Sequence, residues 1–177
     1  MKLRVAVLQG GRSGEHEISL RSARSITAAL DASRYEVMPF TIGKEGKWSP
    51  RPILPQPGAN PGIDVVFSAL HGTFGEDGTV QGLLELADVA YVGAGVAASA
   101  LAMDKDLFKK VMRDSGIPVA QHHAIRLGDS VENPFGSPVF VKPARLGTSV
   151  GLSEVHDASE PDAAVAHAPR PRREVAL

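Results

Sequence analysis

The sequence predicts an α/β fold, an open parallel sheet wound with helices, followed by a smaller α+β part. Three observations lead there. Apolar runs of strand length recur at residues 3–8, 35–42, 64–70 and 89–92. Stretches with helical apolar spacing follow the first, third and fourth of them. The turns after the first and third runs are broken by glycines among charged residues, at strand ends where open α/β sheets place ligands.

The bulk properties set limits. A length of 177 residues allows one or two domains with a real core. A net charge of -1 offers no strong field for nucleic acid or an acidic membrane. The chain has no cysteine, hence no disulfide frame and no thiolate metal site, which is compatible with the cytoplasm. Residues 1–5 run directly into a strand without a signal-peptide pattern, and no apolar span of membrane length follows. There is no fixed-period repeat.

Taken in order, residues 3–8 form a continuous apolar run with one charge, suited to a buried parallel strand. A helix is predicted from about Glu15 to Leu30, with Ile18, Ala23, Ile26 and Leu30 on its core face and Ser13 as N-cap. Residues 35–42 read as a second strand, and Pro39 argues for an edge or a bulge. A hairpin turn follows at 43–48, where Trp48 reads as a packing residue. Residues 49–62, rich in proline and glycine, read as an exposed connector. The third strand spans 64–70, and Val80, Leu83, Leu84 and Ala87 form the core face of the helix after it.

A short strand at 89–92 and a small helix at 96–103 come next. The helix predicted over 104–115 turns Leu107, Phe108, Val111 and Met112 to its apolar side; Gly116 ends it and Pro118 follows. The domain boundary falls there, giving a Rossmann-like domain over 1–117 and a second domain over 118–177. In the second, 121–125 and 138–143 read as strands. His122 and His123 point to opposite faces of theirs, so they are poor joint metal ligands and read as ordinary polar positions.

The chemistry concentrates in three turns. The first, Gln9-Gly10-Gly11-Arg12-Ser13-Gly14-Glu15-His16-Glu17, places carboxylates at a helix start. It lacks the Gly-x-Gly-x-x-Gly spacing of dinucleotide sites, and no P-loop occurs, which disfavours a nicotinamide-dependent oxidoreductase. The second runs from His71 through Gly72, Gly75, Glu76, Asp77 and Gly78 to Gly82. Its imidazole and two carboxylates span a glycine-broken loop, although Asp77 alone also reads as a helix N-cap. The third begins at Lys142 and continues through Gly147, Thr148 and Ser149 to Gly151. Amides and hydroxyls of such a loop can fold over phosphate oxygens, though alone it also reads as a plain hairpin.

The stretch His71-Gly72-Thr73-Phe74-Gly75-Glu76-Asp77-Gly78-Thr79-Val80-Gln81-Gly82 resembles the first signature of D-alanine–D-alanine ligases, members of the ATP-grasp superfamily. The resemblance runs from about Val5 to about Ala166. It implies a pre-ATP-grasp domain followed by the first half of an ATP-grasp domain. It implies a cytoplasmic enzyme of peptidoglycan synthesis that joins two D-alanines through an acyl phosphate at the expense of ATP, a homodimer built through the first domain.

The resemblance also implies residue roles. Glu15 contacts the ammonium of the first D-alanine and His71 helps bind that substrate, while Glu76 and Asp77 organise His71 and its loop. Lys105, in a matching Met103-Asp104-Lys105, and Lys142, Gly147, Thr148 and Ser149 hold the nucleotide phosphates. The family's loop serine falls at Thr148, with Ser149 beside it. Lys109 and Lys110 have no such match and read as solvent-facing.

Family members are nearly twice this length. The acidic residues and asparagine that hold Mg2+ are expected outside these residues, with no metal ligand inside them. A helix is expected over 158–168, then a strand stub at 174–177. With half of the clamp on nucleotide and metal missing, the 177-residue chain is expected to be inactive alone. The alternatives are a ligase taking D-lactate or D-serine as second substrate, and a non-catalytic remnant.

Overall fold

The computed structural model describes residues 1–126, 129–147, 151–156 and 174–176. The expected helix over 158–168 lies outside them, as do Thr148 and Ser149. By its contacts the chain forms two compact units, Met1–Ala100 and Leu101–Leu177.

The first unit is built on a five-stranded sheet. Its strands are β1 (Leu3–Gly10), β2 (Tyr35–Ile42), β3 (Trp48–Ser49), β4 (Val65–Ser68) and β5 (Tyr91–Val92), in the order β3-β2-β1-β4-β5. β1, β2, β4 and β5 are parallel, and β3 adds a short antiparallel edge. β3 pairs only with Thr41 and Ile42, which leaves Pro39 beside an open edge where its missing N–H costs no ladder bond. The antiparallel pair is the expected hairpin, closed by Gly43 N donating to Lys47 O at 2.8 Å.

Helices cover both faces of this sheet. α1 (His16–Ala29) packs Ala23, with Ile26 and the following Leu30, against Val5 and Val7. α2 (Thr79–Leu86) packs Val80 and Leu84, with Ala87, against Ala6 and Leu8. Alternate residues of β1 thus face opposite helices, as the strand period requires. Each large side chain buried this way contributes about 1.5–3 kcal/mol.

Two expected core assignments change. Ile18 is exposed, because the inward stripe of α1 runs through His16, Ser19 and Ala23 instead. The connector over 49–62 is exposed for most of its length but buries Ile53 and Asn60. The Asn60 side chain both accepts from Leu54 N and donates to Leu54 O, at 2.9 Å each, replacing a ladder that the prolines forbid.

Asp64 fixes the start of β4 against β1. Its carboxylate accepts from Arg4 Nε at 3.0 Å, Arg4 NH2 at 2.6 Å and Arg4 N at 2.8 Å. Such a two-pronged pair is geometrically specific.

The second unit takes in α3 (Val96–Met103) from Leu101 and then α4 (Lys105–Asp114). Its sheet comprises β6 (Ala124–Arg126), β7 (Val139–Pro143), β8 (Ser153–Val155) and β9 (Glu174–Ala176), in the order β6-β9-β7-β8 with every pairing antiparallel. β9 is the expected strand stub. Ile125, Val141 and Val155 are its buried core.

α4 ends in a paired set of bonds from Gly116 N to Arg113 O at 3.0 Å and Ile117 N to Met112 O at 2.9 Å. Gly116 sits at φ +74°, so glycine is what the closure needs. By contact α4 belongs with the second unit, since Lys105 N donates to Ala144 O at 3.0 Å. Its expected apolar side is open: Leu107, Phe108 and Val111 are exposed. The helix turns its polar side inward because Asp106 accepts from Lys110 and from His122. His122 is therefore no ordinary polar position; its side chain is only 4% exposed. Burial pushes the Asp106 carboxyl up, but the hydrogen bonds and charges of Lys110 and His122 outweigh it and hold the group below its ordinary value.

The Arg4 hydrogen bonds hold the Asp64 carboxyl at about 2, well below the usual range. The stability this pair lends is present above the ordinary carboxylate range near pH ~4 and is lost as pH falls through the depressed value. Asp64→Asn is expected to flatten the acid limb of the Tm-against-pH curve, measured by circular dichroism. An unchanged limb would show that Asp64 titrates as it does in the unfolded chain.

Candidate functional site

In the first unit β1 and β4 are neighbours whose following helices lie on opposite faces, so a crevice opens at their C-terminal ends. Two of the three turns named above leave from that point. Gly10 and Gly11 take φ +84° and +95°, and His16, buried at the start of α1, donates from Nδ1 to Gly11 O at 2.7 Å.

Ser13 does not cap α1; the N-cap position is Glu15, without a side-chain capping bond. Ser13 Oγ instead accepts from Glu15 N at 3.2 Å and donates to His71 O at 2.7 Å, lacing the first turn to the second. Glu15 is 7% exposed. A β-carbon on Gly72 would lie 2.5 Å from Glu15 Oε2, so the two turns touch through that carboxylate. Among the described residues no donor reaches it.

His71 is held from two sides. Its Nε2 lies 2.9 Å from Ser22 Oγ on α1, and its Nδ1 lies 3.8 Å from Glu76 Oε1, too far for a hydrogen bond. Glu76 Oε2 accepts from Gly72 N at 2.6 Å. Asp77 accepts from Phe74 N at 2.9 Å and Thr79 N at 3.0 Å, stitching the turn; the N-cap of α2 is Gly78, not Asp77. Glu15, His71 and Glu76 thus converge around Gly72. Two carboxylates and an imidazole in one crevice suit a small cationic group.

The second unit gathers lysines. Lys105, Lys109 and Lys142 line a cavity of about 340 Å3 with Phe135, Val139 and Phe140. Lys105 donates from Nζ to Leu146 O at 2.6 Å and Pro143 O at 3.3 Å. Burial first, then the charge of Lys142, pushes Lys105 down, with Asp104 opposing. Asp104 caps α4 through Leu107 N at 3.0 Å and accepts from Arg145 Nε at 2.7 Å. The Met-Asp-Lys motif therefore anchors the turn that leads from β7 toward Gly147. Among the described residues no group of three histidines or carboxylates is placed for a metal.

Sequence reasoning did not single out Ser22 and Arg145, and it read Lys109, which lines the cavity, as solvent-facing. Nothing local marks the first two, since their partners lie 49 and 41 residues away. Lys109 carried a signal, the four-residue step from Lys105 that puts both on one helix face.

The first unit is thus an α/β sheet with a crevice at its switch point, beside which Glu15, His71 and Glu76 gather, and the second unit carries a lysine-lined cavity. A family model described as D-ala D-ala ligase N-terminus matches residues 4–60 and 54–94, and one described as D-ala D-ala ligase C-terminus matches residues 111–177. A D-alanine–D-alanine ligase of Solibacter usitatus is 57% identical over 170 residues, spanning 93% of this chain and 52% of the relative. The structure of the D-alanine–D-alanine ligase from Coxiella burnetii superposes with a TM-score of 0.86 at 36% identity, covering 99% of this chain and 61% of that one. A Bacillus anthracis D-alanine–D-alanine ligase complexed with ATP superposes at 0.77 with 28% identity, covering 98% and 57%. The chain belongs to the D-alanine–D-alanine ligase family. It spans about half the length of the curated relatives it matches.

Gly72→Ala is expected to lower stability by about 1–3 kcal/mol, because φ is +69° and the new methyl meets Glu15. Gly82→Ala, on α2 with nothing within 4 Å, is expected to raise it by about 0.5–1 kcal/mol. Urea midpoints decide. Equal shifts in the two variants would deny any contact between the turns at Gly72.

Proposed function

We propose that these residues carry the first-substrate site and the phosphate lysines of an ATP-dependent D-alanine–D-alanine ligase of the cytoplasm, acting in peptidoglycan synthesis as a homodimer. The reaction is ATP + 2 D-alanine to D-alanyl-D-alanine + ADP + phosphate. The carboxylate of the first D-alanine attacks the γ-phosphorus and ADP leaves. The amine of the second then displaces phosphate from the acyl phosphate, losing a proton as the amide forms.

The observation that carries the reading is Glu15, a residue 7% exposed at the junction of the two turns, with no donor to its carboxylate among the described residues. A carboxylate fixed in a crevice with no cation beside it is free to pair with an ammonium. Glu15 takes the ammonium of the first D-alanine. His71, fixed by Ser22, faces the same substrate, and Glu76 and Asp77 hold the turn in shape. Lys105 and Lys142 take the nucleotide phosphates, and Gly147, Thr148 and Ser149 are assigned to the same site. The lysine-lined cavity fits such an anion, since no carboxylate lines it among the described residues. Mg2+ supplies further charge neutralisation in such a transfer, and no ligand for it is assigned among these residues. By sequence the D-alanine-binding domain is assigned to 1–117 and the nucleotide-binding part to 118–177, while the compact units divide between Ala100 and Leu101, so that α4 packs with the second.

A chimaera joining this chain to the remaining half of the Solibacter usitatus relative tests the reading by ATP-dependent phosphate release. D-alanine is expected to stimulate release. Glu15→Gln is expected to cut kcat/KM for D-alanine by about 10- to 100-fold, the worth of a charge-assisted bond. Stimulation by D-lactate or D-serine as second substrate, and not by D-alanine, would assign a different acceptor. Unchanged turnover in Glu15→Gln would remove Glu15 from the substrate site.

A further inference from the structure

We propose that Lys109 is a third cation of the phosphate site, contacting the polyphosphate chain beside Lys105 and Lys142. This rests on the proposed nucleotide role of those two lysines and adds a residue to it. The fold of the second unit sets the geometry. Lys105 and Lys109 are four residues apart on α4, so their side chains stand on one face, and Lys142 reaches the same cavity from β7.

The other basic residues of α4 are matched. Lys110 Nζ lies 2.7 Å from Asp106 Oδ2, and Arg113 NH2 lies 3.3 Å from His122 Nδ1. Lys109 has no carboxylate partner among the described residues. Among the described residues Lys142 has the Phe140 ring, 5.5 Å from its ammonium, and no carboxylate partner. Lys105 commits two of its three protons to Pro143 O and Leu146 O.

Three ammonium groups therefore share one cavity whose remaining lining, among the described residues, is apolar except for Gln121. Burial, then Lys142, then Arg113 push Lys109 below its ordinary value. Like charges gathered without a counter-ion destabilise one another, and a multiply charged anion reverses that. The cavity, about 340 Å3, falls within the range of small-ligand sites. A single carboxylate from another protein group would satisfy one lysine; a chain of phosphates meets all three.

Calorimetric titration of the chain with inorganic tripolyphosphate at about pH 9, in two buffers of different ionisation enthalpy, reads affinity and proton uptake together. The wild-type chain is expected to bind with uptake of protons, because the anion raises depressed lysines. Lys109→Ala is expected to bind about tenfold more weakly with less uptake. Lys109→Arg, always charged, is expected to keep the affinity but not the full uptake. Lys110→Ala, whose partner is Asp106, is expected to keep both.

Unchanged affinity in Lys109→Ala, with losses in Lys105→Ala and Lys142→Ala, overturns the role of Lys109 and leaves the nucleotide reading standing. No binding by the wild-type chain overturns the phosphate site itself.

Discussion

Ser19 Oγ accepts from Gly10 N at 2.8 Å and donates to Ala69 O at 2.7 Å, wholly out of contact with water. It stands where β1 and β4 stop pairing, just past the Leu8–Ser68 step of their ladder. Beyond that step the two strands must diverge into their loops, and each would leave a buried backbone group without a partner. One hydroxyl serves both. Because Ser19 lies on α1, the same pair of bonds sets the helix against the crevice, and with it Glu15, His16 and Ser22. Everything proposed for the amino-acid site depends on this junction holding two loops, nearly 60 residues apart in sequence, at one distance.

The two units divide the electrostatic work. The first offers carboxylates and an imidazole around a glycine that has no side chain to intervene. The second offers ammonium groups set by a helix and a strand. One unit holds a carboxylate with no cation beside it among the described residues, and the other gathers lysines. Sites of this kind are disposed toward ligands of opposite charge. An amino acid's ammonium and a nucleotide's phosphates are the matching groups.

Much of this was legible in the sequence. Strands announced themselves as apolar runs, because parallel strands are covered on both faces and need no alternation. The His71–Gly82 turn was legible because several residue types at fixed spacing carry more information than any one glycine. Long-range partners were not. The role of Ser13 depends on His71 O, and that of Ser22 on the His71 ring. The apolar side of α4 misled for a different reason. Hydrophobic spacing shows which side is apolar, not which side packs, and a buried Asp106–His122 contact decided the orientation. Ile18 failed likewise, losing its place to Ser19, whose small polar side chain has the backbone groups of two strands to satisfy.

Amide chemical shifts of the 15N-labelled chain, followed while D-alanine is added, test the central claim most directly. The account predicts saturable changes clustered at Gly11 to His16, at Ser22 and at His71 to Asp77, all removed by Glu15→Gln. Changes confined to other parts of the sheet, or a cluster at the two turns that survives loss of the Glu15 charge, would contradict it.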